Sequence, residues 1–296
     1  HYIGEVGAKT RTRKMFDFLS GGQLKWAPMD DEYDRFYVGD KVFTAVAGKE
    51  EFRDNLVRQF PRETHAIDRY LALLDRSGDA LSAFGMSRGM NWWMRLAMKP
   101  WFAWKLRGPF GKGTWEVLSE LTDDNDLIAT LCGQWGDMGL PPKRSPFIAH
   151  AMIARHYLYG GYYPVGGSWR LADTIIPKIQ AAGGEVFTYA RVEQILVENG
   201  RVSGVVMMDG HGIECDCVIS SAGVDNTFNH LLPDDVATSS GYRRQLTHVT
   251  PSVAHLGVYI GLKETAETLG LPKTNFWIYP GNDYDKAVDE FMDDSD

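Results

Sequence analysis

The stretch that decides the fold runs from Tyr163 to Gly223: YPVGGSWRLADTIIPKIQAAGGEVFTYARVEQILVENGRVSGVVMMDGHGIECDCVISSAG. Gly166-Gly167 marks a turn, Ser168 is a good helix N-cap, and Leu171, Ala172, Ile175, Ile176 and Ile179 recur at helical spacing until Gly183-Gly184 stops the pattern. They predict one amphipathic helix of about four turns, kinked at Pro177. The hydrophobic period then changes. Val186 to Val197 is rich in β-formers and closes at Asn199-Gly200, the strongest short hairpin signal. Val202 to Met208 returns, Asp209-Gly210 turns the chain again, and Ile213 to Ser220 is a third predicted strand. It ends in Ser221-Ala222-Gly223, small residues that leave an edge against which something can dock. Helix, strand and antiparallel meander in that order predict a mixed α/β domain.

Composition bounds the partners. With 296 residues and 44% hydrophobic content the chain can bury one large or two ordinary cores. Its net charge of -8 provides no global field for phosphate backbones, so nucleic acid is not an expected partner. Cys132, Cys215 and Cys217 are too few for a disulfide framework and fit a reducing compartment; Cys215 and Cys217 share a strand face with Ile213 and Ile219 and read as buried thiols. No apolar run approaches the ~18 residues of a membrane span, so the expected location is cytoplasmic or peripheral on a membrane. The opening His1-Tyr2-Ile3-Gly4 carries no initiator Met and reads as cut rather than begun, and Asp283 to Asp296, with seven acidic residues and no closing element, reads the same way or as a frayed helix end.

Upstream of the deciding stretch, Met15 to Leu19 predicts a short helix ended by Ser20-Gly21-Gly22, and Arg35–Val38 with Lys41–Val46 a hairpin around Gly39-Asp40. Glu50 to Asp75 is helical in pattern and divided at Pro61. Residues 80 to 115 differ in kind. No acidic residue lies between Asp79 and Glu116, while Trp92, Trp93, Trp101, Trp104 and Trp115 alternate with Arg88, Arg95, Lys99, Lys105, Arg107 and Lys112. Indoles at headgroup depth and cations facing anionic lipid make a membrane-surface contact, with Trp92, Trp93, Arg95, Trp101 and Trp104 as its candidate residues; an aromatic-rich core or partner interface is the competing reading. The segment Gly108 to Thr114 fails the phosphate-loop pattern, since Leu106 stands where the first Gly belongs. Thr122 predicts a helix N-cap, Phe147 begins another helix, and His150 and His156, six apart, do not form a helical metal pair. Asp225 starts a short helix, and Ser252–Ile260 and Asn275–Tyr279 are strand candidates.

Several of these segments together resemble a known family. They are His1-Tyr2-Ile3-Gly4, Gln134-Trp135-Gly136-Asp137, Gly139-Leu140-Pro141-Pro142, His156-Tyr157 with Gly161, Tyr163 to Ser168, Gly183-Gly184, Val192, Gly200-Arg201, Gly204-Val205 and Val218 to Gly223. The chain resembles the FAD-dependent oxidoreductases of the phytoene desaturase, carotenoid isomerase and retinol saturase group, and is most similar to the retinol saturase branch. The resemblance implies an incomplete FAD/NAD(P)-binding Rossmann-like domain, from 1–45 and 160–235, plus a sheet-and-helix substrate domain, from 46–159 and 236–296, that faces a membrane. It implies FAD as cofactor, NAD(P) as a candidate electron donor, and an apolar polyene as substrate, saturated, desaturated or isomerised. Val192 matches the strand residue whose backbone meets the adenine. Ser221, Ala222 and Gly223 match the small-residue turn near the dinucleotide, Gly166 and Gly167 the motif before the second-half helix, and His1, Tyr2 and Gly4 the segment beside the isoalloxazine. No side chain is assigned as acid or base and no metal is expected. The family's G-x-G-x-x-G loop is expected before His1 and its closing segment after Asp296, so the chain is expected to be the middle of such an enzyme, inactive alone. A non-catalytic membrane-surface or partner-binding module on the same fold and an amine oxidase relative are the alternatives.

Overall fold

In a computed structural model, which describes residues 2–105, 108–249 and 254–293 with the side chains of Phe84, Trp104 and Lys105 excepted, packing divides the chain into two compact units. One comprises His1–Lys178 with Val253–Asp296, the other Ile179–Ser252.

The first unit begins with α1 (Arg11–Ser20), capped by the Thr10 hydroxyl and ended by Gly21 in the left-handed region. Strand β1 (Trp26–Pro28) precedes the hairpin of β2 (Glu32–Val38) and β3 (Lys41–Val46). Pro61 opens a short 3-10 turn that separates α2 (Lys49–Gln59) from α3 (Thr64–Gly89), since its ring excludes a helical hydrogen bond. Two short helices, α4 (Trp92–Ala97) and α5 (Lys99–Lys105), lead to α6 (Thr114–Ser119), α7 (Asn125–Leu131) and α8 (Phe147–Tyr157). The cap of α7 is Asp124, whose carboxylate accepts from Asp126 and Leu127 N–H; Thr122, the predicted cap, instead donates to Glu63. Strand β4 (Tyr162–Pro164) pairs antiparallel with β1, and α9 (Trp169–Ala181) follows with Pro177 inside it.

The second unit is the meander β5 (Val192–Glu198), β6 (Arg201–Met207) and β7 (Gly212–Glu214), all antiparallel. Asn199 at φ 51° and Gly200 at φ 74° form the mirror-image turn that matches strand twist. A π-helical turn (Asn226–Leu231), α10 (Asp234–Ser239) and α11 (Tyr242–Leu246) complete it. Back in the first unit, β8 (Asn275–Tyr279) lies parallel to β2, making the sheet β3-β2-β8, and α12 (Tyr284–Asp293) ends the described chain.

Three strand expectations are corrected. Residues 185–191 and 215–221 carry no regular pairing, so β5 starts at Val192 and β7 ends at Glu214. Consequently Cys217 is exposed and Cys215 half-buried, and only Cys132 is a buried thiol. The candidate strand Ser252–Ile260 falls partly outside the described residues, and 254–260 are exposed without regular structure.

The first unit holds the main core, built on Leu56, Ile67, Tyr70, Leu74, Leu118, Leu127, Ile128 and Phe147. Where α3 meets α8, Tyr70 Oη and His150 Nε2 share a buried hydrogen bond of 2.9 Å. Desolvation pushes His150 down to about 4, so it is a neutral core residue. In the second unit Ile195, Met207 and Ala237 are buried.

Candidate functional site

The second unit contains a cleft of about 730 Å³ whose walls include Val192, Ile195, Val205, Ile219, Ser221 and Ala222. One wall is the face of β5 and β6; the other is the small-residue loop after Val218. That loop is held by its own hydrogen bonds. Thr227 Oγ1 donates to the Gly223 carbonyl at 2.7 Å, Asn226 Nδ2 donates to the Ala222 carbonyl at 2.8 Å, and the Ser220 and Thr227 hydroxyls pair at 2.7 Å. Gly223 sits at φ 90°, a conformation that a side chain would strain. Val192 and, some 30 residues on, Ser221 and Ala222 thus line one cleft with both apolar and polar walls, Arg191, Glu193 and His230 among the latter, with Gly223 next to it. The volume lies within the ~300–1,000 Å³ of ordinary small-molecule sites.

A second constellation lies in the first unit, around a carboxylate that has no exposed surface. Asp34 accepts from Tyr2 Oη at 2.8 and 3.0 Å on its two oxygens and from Gln134 Nε2 at 2.6 Å. Burial pushes its pKa up to about 6, against the opposing pull of the Tyr2, Gln134 and Asn275 side chains. The Trp277 indole lies close enough to lower it too, although its N–H makes no well-formed hydrogen bond. Tyr2 is in turn fixed by Tyr157, which donates to its carbonyl at 3.3 Å and packs against its ring at 4.6 Å between centroids, the two planes tilted by 46°. Two residues on, Gly4 N–H donates to His156 Nε2 at 2.8 Å, which makes Nε2 the acceptor; a side chain on Gly4 would collide with the His156 carbonyl. Burial lowers the His156 pKa. This knot ties the Tyr2–Gly4 segment to β2, to the turn after α7 and to the end of α8.

The sequence is similar to curated proteins along its length. It is 32% identical to an all-trans-retinol 13,14-reductase from Danio rerio over 98% of this chain and 50% of that protein. It is 38% identical to a lycopene-forming phytoene desaturase from Pseudescherichia vulneris, over 74% of this chain and 43% of the other. This chain belongs to the retinol saturase and phytoene desaturase family. It spans about half the length of the retinol reductases it matches. No protein-family profile matches it. Its fold is shared with the crystal structure of an oxidoreductase from Methanosarcina mazei, at TM-score 0.50 and 18% identity over 80% of this chain and 51% of that one.

Three segments that carry the family resemblance, Tyr2–Gly4, Gln134 and His156-Tyr157, meet in the Asp34 knot. Asp34 itself has no place in the sequence reading, although its phase was a signal: it shares a face of β2 with Phe36 and Val38, which are core residues. Asn226 and His230, which also line the cleft, had no signal beyond a helix start at Asp225. Gly166 and Gly167, at φ 90° and 101°, form the turn between β4 and α9, and Gly167 N–H donates to the Pro164 carbonyl at 3.0 Å. His1 and the side chain of Trp104 lie outside the described residues. Trp92 is 72% exposed and Trp93 57%, with Arg95 and Leu96 exposed beside them and Trp101 on α5 at the edge of exposure; Phe102 is the buried anchor. Among the described residues no helix is long and apolar enough to cross a membrane, and no group of His, Cys, Asp and Glu could hold a metal ion.

Proposed function

We propose that the protein bearing this chain is an FAD-dependent oxidoreductase that acts on a conjugated polyene lipid of the retinol or carotenoid kind, by saturating one double bond. The observation that carries this reading is the 32% identity to a retinol 13,14-reductase across 98% of the chain. The cleft of the second unit supports it, because its walls suit part of a dinucleotide: apolar surface from Val192 and Ile219 for a flat heteroaromatic ring, and the Ser221-Ala222-Gly223 loop, without bulk, for close approach. Val192 would meet the adenine through its backbone and Ser221 to Gly223 would face the dinucleotide. Tyr2 and Gly4 would border the isoalloxazine, and Gly166-Gly167 would shape the turn into α9. In this reading 1–45 and 160–235 contribute to the FAD-binding domain, 46–159 and 236–296 to the substrate domain.

When bound, FAD supplies hydride exchange with a carbon of the polyene. The chain's own contribution is to bind and orient it and to keep the reacting carbon dry. Knotted by Asp34, Gln134, His156 and Tyr157, the Tyr2–Gly4 segment is a fixed wall. NAD(P)H is the reductant to test first. The polyene is drawn from a bilayer on which the exposed Trp92, Trp93 and Trp101, with Arg95, make the first contact.

The full-length protein tests the reading by its flavin content. Wild type should purify with about one flavin per chain, and Ala222→Arg, which fills the cleft, should lose most of it while keeping its far-ultraviolet circular dichroism. Equal flavin in both would remove the cleft from the cofactor site. A protein without flavin would favour the non-catalytic module, and a flavin reduced by amines but not by polyenes the amine oxidase alternative.

A further inference from the structure

Helix α1 carries an exposed stripe that the sequence reading treated as ordinary. Its inner side is pinned: Phe16 packs on Trp26 at 5.1 Å between centroids, and Ser20, fully buried, donates to the Phe16 carbonyl at 2.7 Å and accepts from Leu24 N–H at 3.3 Å. With that orientation fixed, Met15, Phe18 and Leu19 face outward, and Phe18 is 84% exposed. Arg11 and Lys14, also exposed, fall with them in an arc of about 140° at 100° per residue. The charge is one-sided as well. From Lys9 to Lys25 there are five basic residues, Lys9 included, and one acidic, Asp17, and Asp17 is bound to Arg13 at 2.8 Å. Among the described residues Lys9, Arg11 and Lys14 have no carboxylate partner, in a chain whose net charge is -8.

We propose that α1 is a second lipid-facing element, its Arg11, Lys14, Met15, Phe18 and Leu19 stripe lying on the surface of an anionic bilayer. Leaving Phe18 and Met15 in water forgoes the burial of two large apolar side chains. A stripe in which Phe18, Met15 and Leu19 lie beside Arg11 at its middle and Lys14 at one border meets acyl chains and anionic headgroups together. The inference extends the membrane contact proposed for α4 and α5, and adds a separate foot with its own residues.

The test uses the full-length protein with vesicles of phosphatidylcholine, with and without phosphatidylserine. Hydrogen–deuterium exchange should slow in the peptide covering 11–20 when anionic vesicles are added. Arg11→Gln with Lys14→Gln should lower partitioning onto anionic vesicles by about 30-fold, from about 1 kcal/mol per basic residue, and leave neutral vesicles unaffected. Met15→Ser with Phe18→Ser should weaken binding to both. Binding to vesicles with 11–20 unprotected would overturn the proposal and leave the α4 and α5 contact standing, whereas absence of any vesicle binding would overturn both. Protection of 11–20 before vesicles are added would show that another part of the protein, or a second copy, covers the stripe, and would overturn it too.

Discussion

Replacing Asp34 by Asn should change how stability depends on pH, and the size of the change follows from its surroundings. Asp34 is buried to zero exposure and its carboxyl is lifted from 3.8 to about 6. At 1.36 kcal/mol per pH unit, ionising it inside the fold costs about 3 kcal/mol relative to the unfolded chain. Because the folded pKa is the higher, the contribution is fully present below about pH 3.8 and is lost as pH rises through about 6. Asn mimics the neutral acid in shape, keeps an acceptor for Tyr2 Oη and can pair with Gln134 after an amide rotation. The difference in unfolding free energy, the Asp34→Asn variant minus wild type, should therefore grow by up to about 3 kcal/mol between pH 4 and pH 7.5. Urea unfolding followed by Trp fluorescence at four or so pH values measures it. Taking the difference cancels His150, whose depressed pKa of about 4 removes stability as pH falls from 6.5. Parallel curves would mean that Asp34 ionises normally, and a difference of opposite sign that its hydrogen bonds outweigh its burial.

Other substitutions probe the neighbouring elements. Tyr2→Phe removes a hydrogen bond to a buried carboxylate and should cost about 1.5–3 kcal/mol at pH 7.5, and less at pH 4.5, in the same unfolding assay. Gly4→Ala should destabilise by about 3 kcal/mol or more, since the methyl group meets backbone rather than a flexible side chain; a melting temperature within error of wild type would contradict the close approach to His156. Tyr70→Phe leaves the buried His150 ring nitrogen unpaired and should cost about 1–3 kcal/mol by chemical denaturation. Trp92→Ser with Trp93→Ser should reduce vesicle flotation at unchanged stability, since both rings are exposed.

The hairpins, helices and their ends were readable where local chemistry dominates. Asn199-Gly200 fixes a turn by backbone preference alone, Pro61 parts two helices, and Gly21 ends α1. Asn275–Tyr279 was recognisable as a strand, but not its parallel partner β2, because that pairing joins residues some 240 positions apart and leaves no local trace. The strands expected over 186–191 and 215–220 failed for a related reason: β-propensity reports fitness for a pleated surface, and without a neighbour to pair with those residues stay irregular. Within the candidate site, Val192 and Ser221 to Gly223 were singled out by resemblance alone, and the structure adds that Val192, Ser221 and Ala222 line a common cleft. The Asp34 knot was not. An aspartate in phase with Phe36 and Val38 gives warning of a buried charge, yet its partners come from Tyr2 and Gln134, about 30 and 100 residues away.

The most direct test of the central claim is mass analysis of the polyene after incubation with the full-length protein, under anaerobic conditions with reduced flavin as electron source. Incubated with all-trans-retinol or a carotenoid, the wild type should yield a product heavier by two hydrogen atoms, and the Ala222→Arg variant should not. Recovery of unchanged polyene from a flavin-loaded wild-type protein, across both substrate kinds, would contradict the assignment of this chain to a polyene-saturating enzyme.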